Sequence, residues 1–338
     1  MQGVTLRYAF ACSSGTNQLS CETTSVGADE TSKALAEGFL SGTAFLNQGA
    51  DFVIREGLTA ALATRSAENH EATGLRGFAA IGGGSLRHNT GSHVDVDGYT
   101  LIAGLAASSG AFTAAAFLEH GEGDYDSYNS FSVGRVRGKG DTDYTGLGLM
   151  AQFELTEALT LEGSLRAGKV KTDFGSNDLG NAGQRAAYDA KSGYVSAHVG
   201  AGYRFSLGEQ SRLKLYAHYL WSHQDGDRVR LTTGDPVKFN AVDSQRTRLG
   251  AKWDYQLNKS ASAYLGAAWE HEFDGKAKAT AYGEAIDAPE LQGDTGILEA
   301  GLTLTPMTNQ PLSIDLGLQG YTGKREGVTG GVRVRYAF

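Results

Sequence analysis

The chain has 338 residues and a net charge of −8, and glycine supplies 47 of its residues, about 14 %, against only 4 prolines. Glycine at roughly twice ordinary usage without a three-residue period excludes collagen, and 41 % apolar residues exclude a disordered tail; the acidic balance argues against a nucleic-acid partner. A mean hydropathy of −0.29 excludes a helical membrane protein but not strands with one wet and one apolar face.

Residues 1–28 read as a polar, turn-rich leader containing one strand-like run, Val4 to Phe10. Met1 to Phe10 lack a basic segment followed by an apolar core, so no secretory leader is read there. The chain is then either cytoplasmic or the C-terminal part of a longer precursor. Cys12 and Cys21, the only cysteines, lie nine apart and read first as a local disulfide in an oxidising compartment, with two free thiols as the other reading.

Residues 29–63 change to Ala, Leu, Glu and Lys, with Asp29 placed to cap a helix and no proline in the run. A helix of about 30 residues would span roughly 45 Å. Its apolar positions include Leu35, Phe39, Leu40, Phe45, Leu46, Phe52 and Val53, and Gly38, Gly42 and Gly49 interrupt it. Each such glycine costs about 1 kcal/mol relative to alanine. They make sense where a wall must come close, and Asn47 and Asp51 are also read as facing the barrel wall.

From Gly74 onward the period is two. In 191–206, Val195, Ala197, Val199, Ala201, Tyr203 and Phe205 alternate with Tyr194, Ser196, His198, Gly200, Gly202 and Arg204. The uncharged run Gly98–Leu118 is long enough for a membrane helix, yet Ser108-Ser109-Gly110 divides it into two strands. Such runs predict about twelve strands, near 74–88, 94–107, 111–122, 140–154, 158–170, 191–206, 212–225, 241–256, 261–274, 293–305, 312–322 and 327–338. Short connections near 108–110, 156–158, 207–211, 258–260 and 307–311 alternate with long polar ones at 123–139, 173–190, 226–240 and 275–292. The prediction is an all-β membrane protein: a twelve-stranded antiparallel transmembrane β-barrel, residues 74–338, with an N-terminal α-helix, residues 29–63, inside its pore. A soluble sandwich or propeller is the competing fold.

The last strand ends Val332-Arg333-Val334-Arg335-Tyr336-Ala337-Phe338. Val334, Tyr336 and Phe338 on one face resemble the C-terminal signature of bacterial outer-membrane proteins, which implies recognition by the barrel-assembly machinery and periplasmic chaperones. Helix and strands together resemble the translocator domain of autotransporters, the type V secretion family, over residues 29–338. The local match is Ser32–Leu40 followed by Ala44–Asp51, similar to that family's pore helix, with a weaker match at Tyr144, Gly146 and Gly148. The resemblance implies a monomer in the outer membrane of a Gram-negative bacterium, without cofactor, whose helix links the barrel to an exported passenger. Residues 1–28 would be the passenger's stump, with Val4–Phe10 its last strand.

Parity places nine basic and seven acidic residues on the lumen wall, among them Arg76, Glu119, Glu162, Arg166, Arg204, Arg246, Arg248, Glu270, Glu299, Asp315, Arg333 and Arg335. Buried charges must be paired or hydrated, so a wet lumen of ion pairs is the plain expectation. The sharper one is chemical: some autotransporters cut their own chain in the pore. Here Asn47 would be the nucleophile, assisted by Glu119, Glu162 or Asp315, although Asn47-Gln48 departs from the paired-Asn motif. A stand-alone porin or adhesin is a further reading. So is a barrel hydrolase using His88, His93, Asp95 and Asp97, or His120, Asp124 and Asp126. No nucleophile elbow appears, and no histidine pair shows zinc spacing with a third ligand.

Overall fold

A computed structural model describes residues 3–15, 18–57, 75–179, 184–304 and 312–336. The chain begins with β1 (Leu6–Gly15) and β2 (Gln18–Ala28) and continues into α1 (Lys33–Phe52). Seven strands follow: β3 (Leu75–Asn89), β4 (His93–Ser109), β5 (Phe112–Phe131), β6 (Gly134–Glu154), β7 (Leu159–Ser176), β8 (Ala186–Ser206) and β9 (Ser211–Gln224). Next come β10 (Arg228–Arg230), β11 (Pro236–Phe239), β12 (Val242–Asn258), β13 (Ala261–Glu272), β14 (Ala279–Ala281) and β15 (Glu284–Ile286). The chain ends with β16 (Gly293–Leu304), β17 (Leu312–Gly323) and β18 (Arg325–Tyr336).

Twelve of these strands, β3–β9, β12, β13 and β16–β18, pair antiparallel and close into a barrel through β18 and β3. The period-two pattern holds: Val195, Val199, Tyr203, Leu249, Trp253, Leu316 and Leu318 are exposed on the outside, where lipid would cover them, while their neighbours face the lumen. Closure leaves no sheet edge, so every ladder group can be satisfied without water. No helix among the described residues is long and apolar enough to cross a membrane. The 98–118 run is the β4–β5 hairpin, turning at Gly110 with φ +54°, a conformation that only glycine adopts cheaply. The closing seam is nearly bare, with Gly82 opposite Gly331 and Gly83 opposite Gly330.

Several expectations need correction. The leader is not one strand: β1 and β2 form a hairpin, with Cys12 opposite Cys21 and the two joined as a disulfide. The segment 123–139 is no loop, because β5 and β6 run on to a two-residue turn at Ser132-Val133. The connections at 226–240 and 275–292 fold into a small four-stranded sheet, β10-β11-β14-β15. That sheet holds the hairpin. Asp235 accepts hydrogen bonds from the Val4 backbone N–H (3.2 Å), the Thr5 hydroxyl (2.9 Å) and the Thr233 hydroxyl (2.6 Å). Burial pushes the Asp235 carboxyl up, but these donors outweigh it and hold it below its ordinary 3.8. The expected turn at 307–311 lies outside the described residues.

Helical turns run from Glu30 to Gly57, within the predicted 29–63. Asp29 caps a 3₁₀ turn, Glu30–Ser32, accepting from the Thr31 N–H at 2.9 Å. The α-helical part ends at Phe52 and loosens into a π turn over Val53–Gly57, where two β-branched residues and a glycine lower helix propensity. Residues 58–63 lie outside the described residues. Twenty residues span about 30 Å. Every residue of α1 after Lys33 is buried, and the helix packs on β4–β7, β9 and β12.

Candidate functional site

The helix enters the lumen at the rim that carries the loop sheet, and polar groups fix it there. The buried Glu37 carboxylate accepts from the Thr90 hydroxyl (2.9 Å), the Ser92 hydroxyl and the Asn129 side-chain amide, with Lys33 Nζ 3.4 Å away. Below this collar the contact becomes aromatic. Phe39 stacks on Phe239 of the loop sheet at 4.6 Å, and Phe45 meets Tyr144 edge-on at 5.4 Å. Burying Phe39, Leu40, Phe45, Leu46 and Phe52 contributes on the order of 10 kcal/mol before ordering costs.

The three helix glycines lie where the wall presses closest. A Cβ on Gly38 would meet the Phe174 ring at 2.6 Å and the Tyr188 and Tyr125 hydroxyls at 2.8 and 2.9 Å; on Gly42 it would meet the Thr172 hydroxyl at 2.7 Å; on Gly49 it would run into the Tyr144 hydroxyl. The wall glycines of β6 act differently. Gly146 makes room for the Tyr194 ring and Gly148 for Phe117, so they seat wall aromatics rather than the helix.

Toward the helix C-terminus the contact turns ionic. Asp51 takes Arg246 Nη1 at 2.8 Å, Arg248 Nη2 at 2.7 Å and Arg325 Nη1 at 2.9 Å. Glu270 takes Arg248 and Arg325, each at 2.6 Å, and Arg246 at 3.4 Å. Three cations against two carboxylates leave one positive charge, placed where the helix dipole is negative. Arg246 also donates to the Asn47 carbonyl at 3.3 Å, and Arg166 to the Leu46 carbonyl at 3.3 Å. Arg166 is itself gripped by Glu119 (2.8 Å), whose other oxygen takes the Tyr194 hydroxyl (2.6 Å).

The residues proposed for self-cleavage are not brought together. Asn47 donates to Ser244 Oγ at 2.9 Å, and Ser244 donates to Glu272 at 2.5 Å. Glu119 is spent on Arg166, and Asp315 on Arg333 and Thr303 (3.0 and 2.5 Å). The carboxylate linked to Asn47 is therefore Glu272, which sequence reasoning did not single out beside Asn47. Ser244 and Arg325 were missed as well. Glu272 lies opposite Arg246 in the β12–β13 register, a signal available only once strands are paired.

Glu162 belongs to another cluster, lower on the wall. His218 Nε2 lies 2.8 Å and His198 Nε2 4.0 Å from its Oε1, with Lys214 Nζ 3.6 Å from Oε2. Glu162, His198 and His218 come from neighbouring strands, so no spacing along the chain marks them as a group. The cluster borders a cavity of about 250 Å³ under Ile54 and Arg55, lined also by Glu299, Asp315 and Arg333. Glu299 accepts from Tyr216 and Gln319 at 3.3 and 3.2 Å. Arg204 lies opposite Lys214 and is exposed, at the short-turn end of β8. Arg76, Arg335 and Tyr336 are placed by backbone register only, and Val334 faces outward; Phe338 lies outside the described residues.

The histidines of the hydrolase reading do not assemble. His88 is buried; Arg87 pairs with Asp95 at 2.7 Å on the outside, and His93 stacks on Tyr128 at 4.7 Å. His120 hydrogen-bonds Thr145 at 3.0 Å, while Asp124 and Asp126 are exposed further along β5.

The family model described as "Autotransporter beta-domain" matches residues 78–318. Among solved structures, the chain is similar to the translocator domain of the autotransporter NalP from Neisseria meningitidis, with a TM-score of 0.68 and 18 % identity over 88 % of this chain and 98 % of that one. It is also similar to the β domain of the Bordetella autotransporter BrkA (TM-score 0.60, 16 % identity, 78 % and 99 % covered). A third similar structure is the transport unit of AIDA-I from Escherichia coli (TM-score 0.58, 15 % identity, 85 % and 97 % covered). No curated protein matches the sequence.

Proposed function

Because this chain belongs to the autotransporter β-domain family, an outer-membrane translocator fold that is not a catalytic enzyme, we propose that it exports a passenger joined at its N-terminal side and that the helix then closes the lumen. The observation that carries this reading is the path of the chain. The segment ahead of α1 continues as the β1–β2 hairpin outside the barrel, held by Asp235 on the loop sheet. Whatever precedes it would emerge on the outer face, at the cell surface. The helix, gripped by Glu37 above and Asp51 below, takes up the path that an extended chain would need.

Deleting residues 33–57 should raise single-channel conductance in planar bilayers. An unchanged small conductance would remove the closing role. Recognition by the barrel-assembly machinery and periplasmic chaperones belongs to the same proposal, supported by the alternation up to Tyr336 and Phe338. Deleting Phe338 should weaken the heat-modifiable band on gels, and a full-strength band would count against that signal. Self-cleavage at Asn47 gains no support, since its side chain is engaged by Ser244 and its carbonyl by Arg246.

A further inference from the structure

We propose that Glu162, His198 and His218 form a zinc-type metal site on the lumen wall, with its fourth position open to the cavity beneath the helix. Register creates the group. Glu162 on β7 lies opposite Gly200 on β8, Gly200 lies opposite His218 on β9, and His198 is the next lumen-facing residue along β8. Gly200 is the space into which the three side chains turn: a Cβ there would lie 3.1 Å from both Glu162 Cγ and His198 Nε2. All three residues are buried, and one donor atom from each lies within 4.8 Å of the others.

The hydrogen bonding of these side chains points to a missing ligand. His198 Nε2 and His218 Nδ1 are buried without a hydrogen-bond partner, and His218 Nε2 has only the Glu162 carboxylate, 2.8 Å away. Buried imidazole nitrogens left in this way are costly. A single cation would take the lone pairs of both Nε2 atoms and Oε1 together. Zinc bonds of about 2.0–2.2 Å in tetrahedral geometry set ligand atoms roughly 3.3 Å apart. The observed 2.8 and 4.0 Å bracket that spacing, so small ring movements complete the set.

The surroundings orient these ligands. Lys214 holds the second carboxylate oxygen at 3.6 Å, Ser164 Oγ lies 3.5 Å from His198 Nδ1, and Tyr216 stacks on His218 at 4.8 Å. Such contacts fix the orientation of metal-bound imidazole and carboxylate. One carboxylate beside a lysine is too little anionic charge for calcium or magnesium, which need many oxygens. Two imidazoles suit zinc and its late transition-metal neighbours. The bound ion would clamp β7, β8 and β9 together, facing the cavity.

The test uses the full chain, folded in detergent, stripped with EDTA and dialysed against micromolar zinc chloride. The expected result is about one zinc per chain with a raised Tm, and cobalt in place of zinc giving the visible absorption of a four-coordinate ion. The double variant His198→Gln/His218→Gln should lose both. A control, His223→Gln/His271→Gln, alters partly exposed histidines beside Asp243 and Asp294 and should keep them. Wild-type protein without zinc or cobalt bands overturns the proposal, whatever the variants' folding. So does zinc retained by the first variant or lost by the control.

Discussion

Between Leu35 and Leu46 the helix meets the wall through rings and glycines, whereas beyond Gly49 it meets guanidinium groups. The outer half is closed by shape: Phe39, Phe45, Tyr144, Phe174 and Tyr188 fill it with no room for a further methyl at Gly38. The inner half is closed by charge and opens at once into a cavity of about 250 Å³. Packing errors and charge errors should therefore release the helix in different ways. Shape tolerates small shifts of flexible rings. A buried charge left alone has no such escape.

The largest effect should follow from Asp51→Ala, which leaves Arg246, Arg248 and Arg325 facing Glu270 alone. Breaking a buried ion network on one side costs about 3–5 kcal/mol. Trypsin cutting after Arg55 in the folded barrel should accelerate by about a hundredfold or more, by that same penalty. Unchanged cutting would mean that the inner contact does not hold the helix. A smaller loss is expected from Gly38→Val, because overpacking costs about 1–3 kcal/mol. Cutting after Lys33 should rise about tenfold, by that penalty, with cutting after Arg55 less affected. If both sites respond equally to either variant, the helix moves as one body and the two halves are not separate locks.

Much of this could be read before any coordinates. The period of two gave the barrel because each strand has one lipid face, and the Ala/Leu-rich run gave the helix. Val4–Phe10 marked part of β1, but the hairpin escaped because β2, exposed along nearly its whole length, is polar and shows no apolar alternation. The loop sheet escaped because its strands are three or four residues long, too short to show a period. Parity assigned Arg246, Arg248 and Glu270 to the lumen wall. It said nothing of Asp51 as their common partner, since Asp51 and Arg246 are 195 residues apart in sequence. The Glu162–His198–His218 group was hidden for the same reason: each member is ordinary on its own strand.

The bare seam between β18 and β3 has a consequence for alignment. A run of glycines facing glycines carries no side chains by which one strand could sense a slip of two residues along the other, and such a slip keeps every face correct. Information about register has to come from outside the run. Arg325, the first residue of β18, supplies it by reaching Asp51 on the helix and Glu270 on β13. A β18 displaced by two residues would carry Arg325 about 7 Å away from both carboxylates. The helix thereby acts as a gauge for where the barrel's last strand comes to rest.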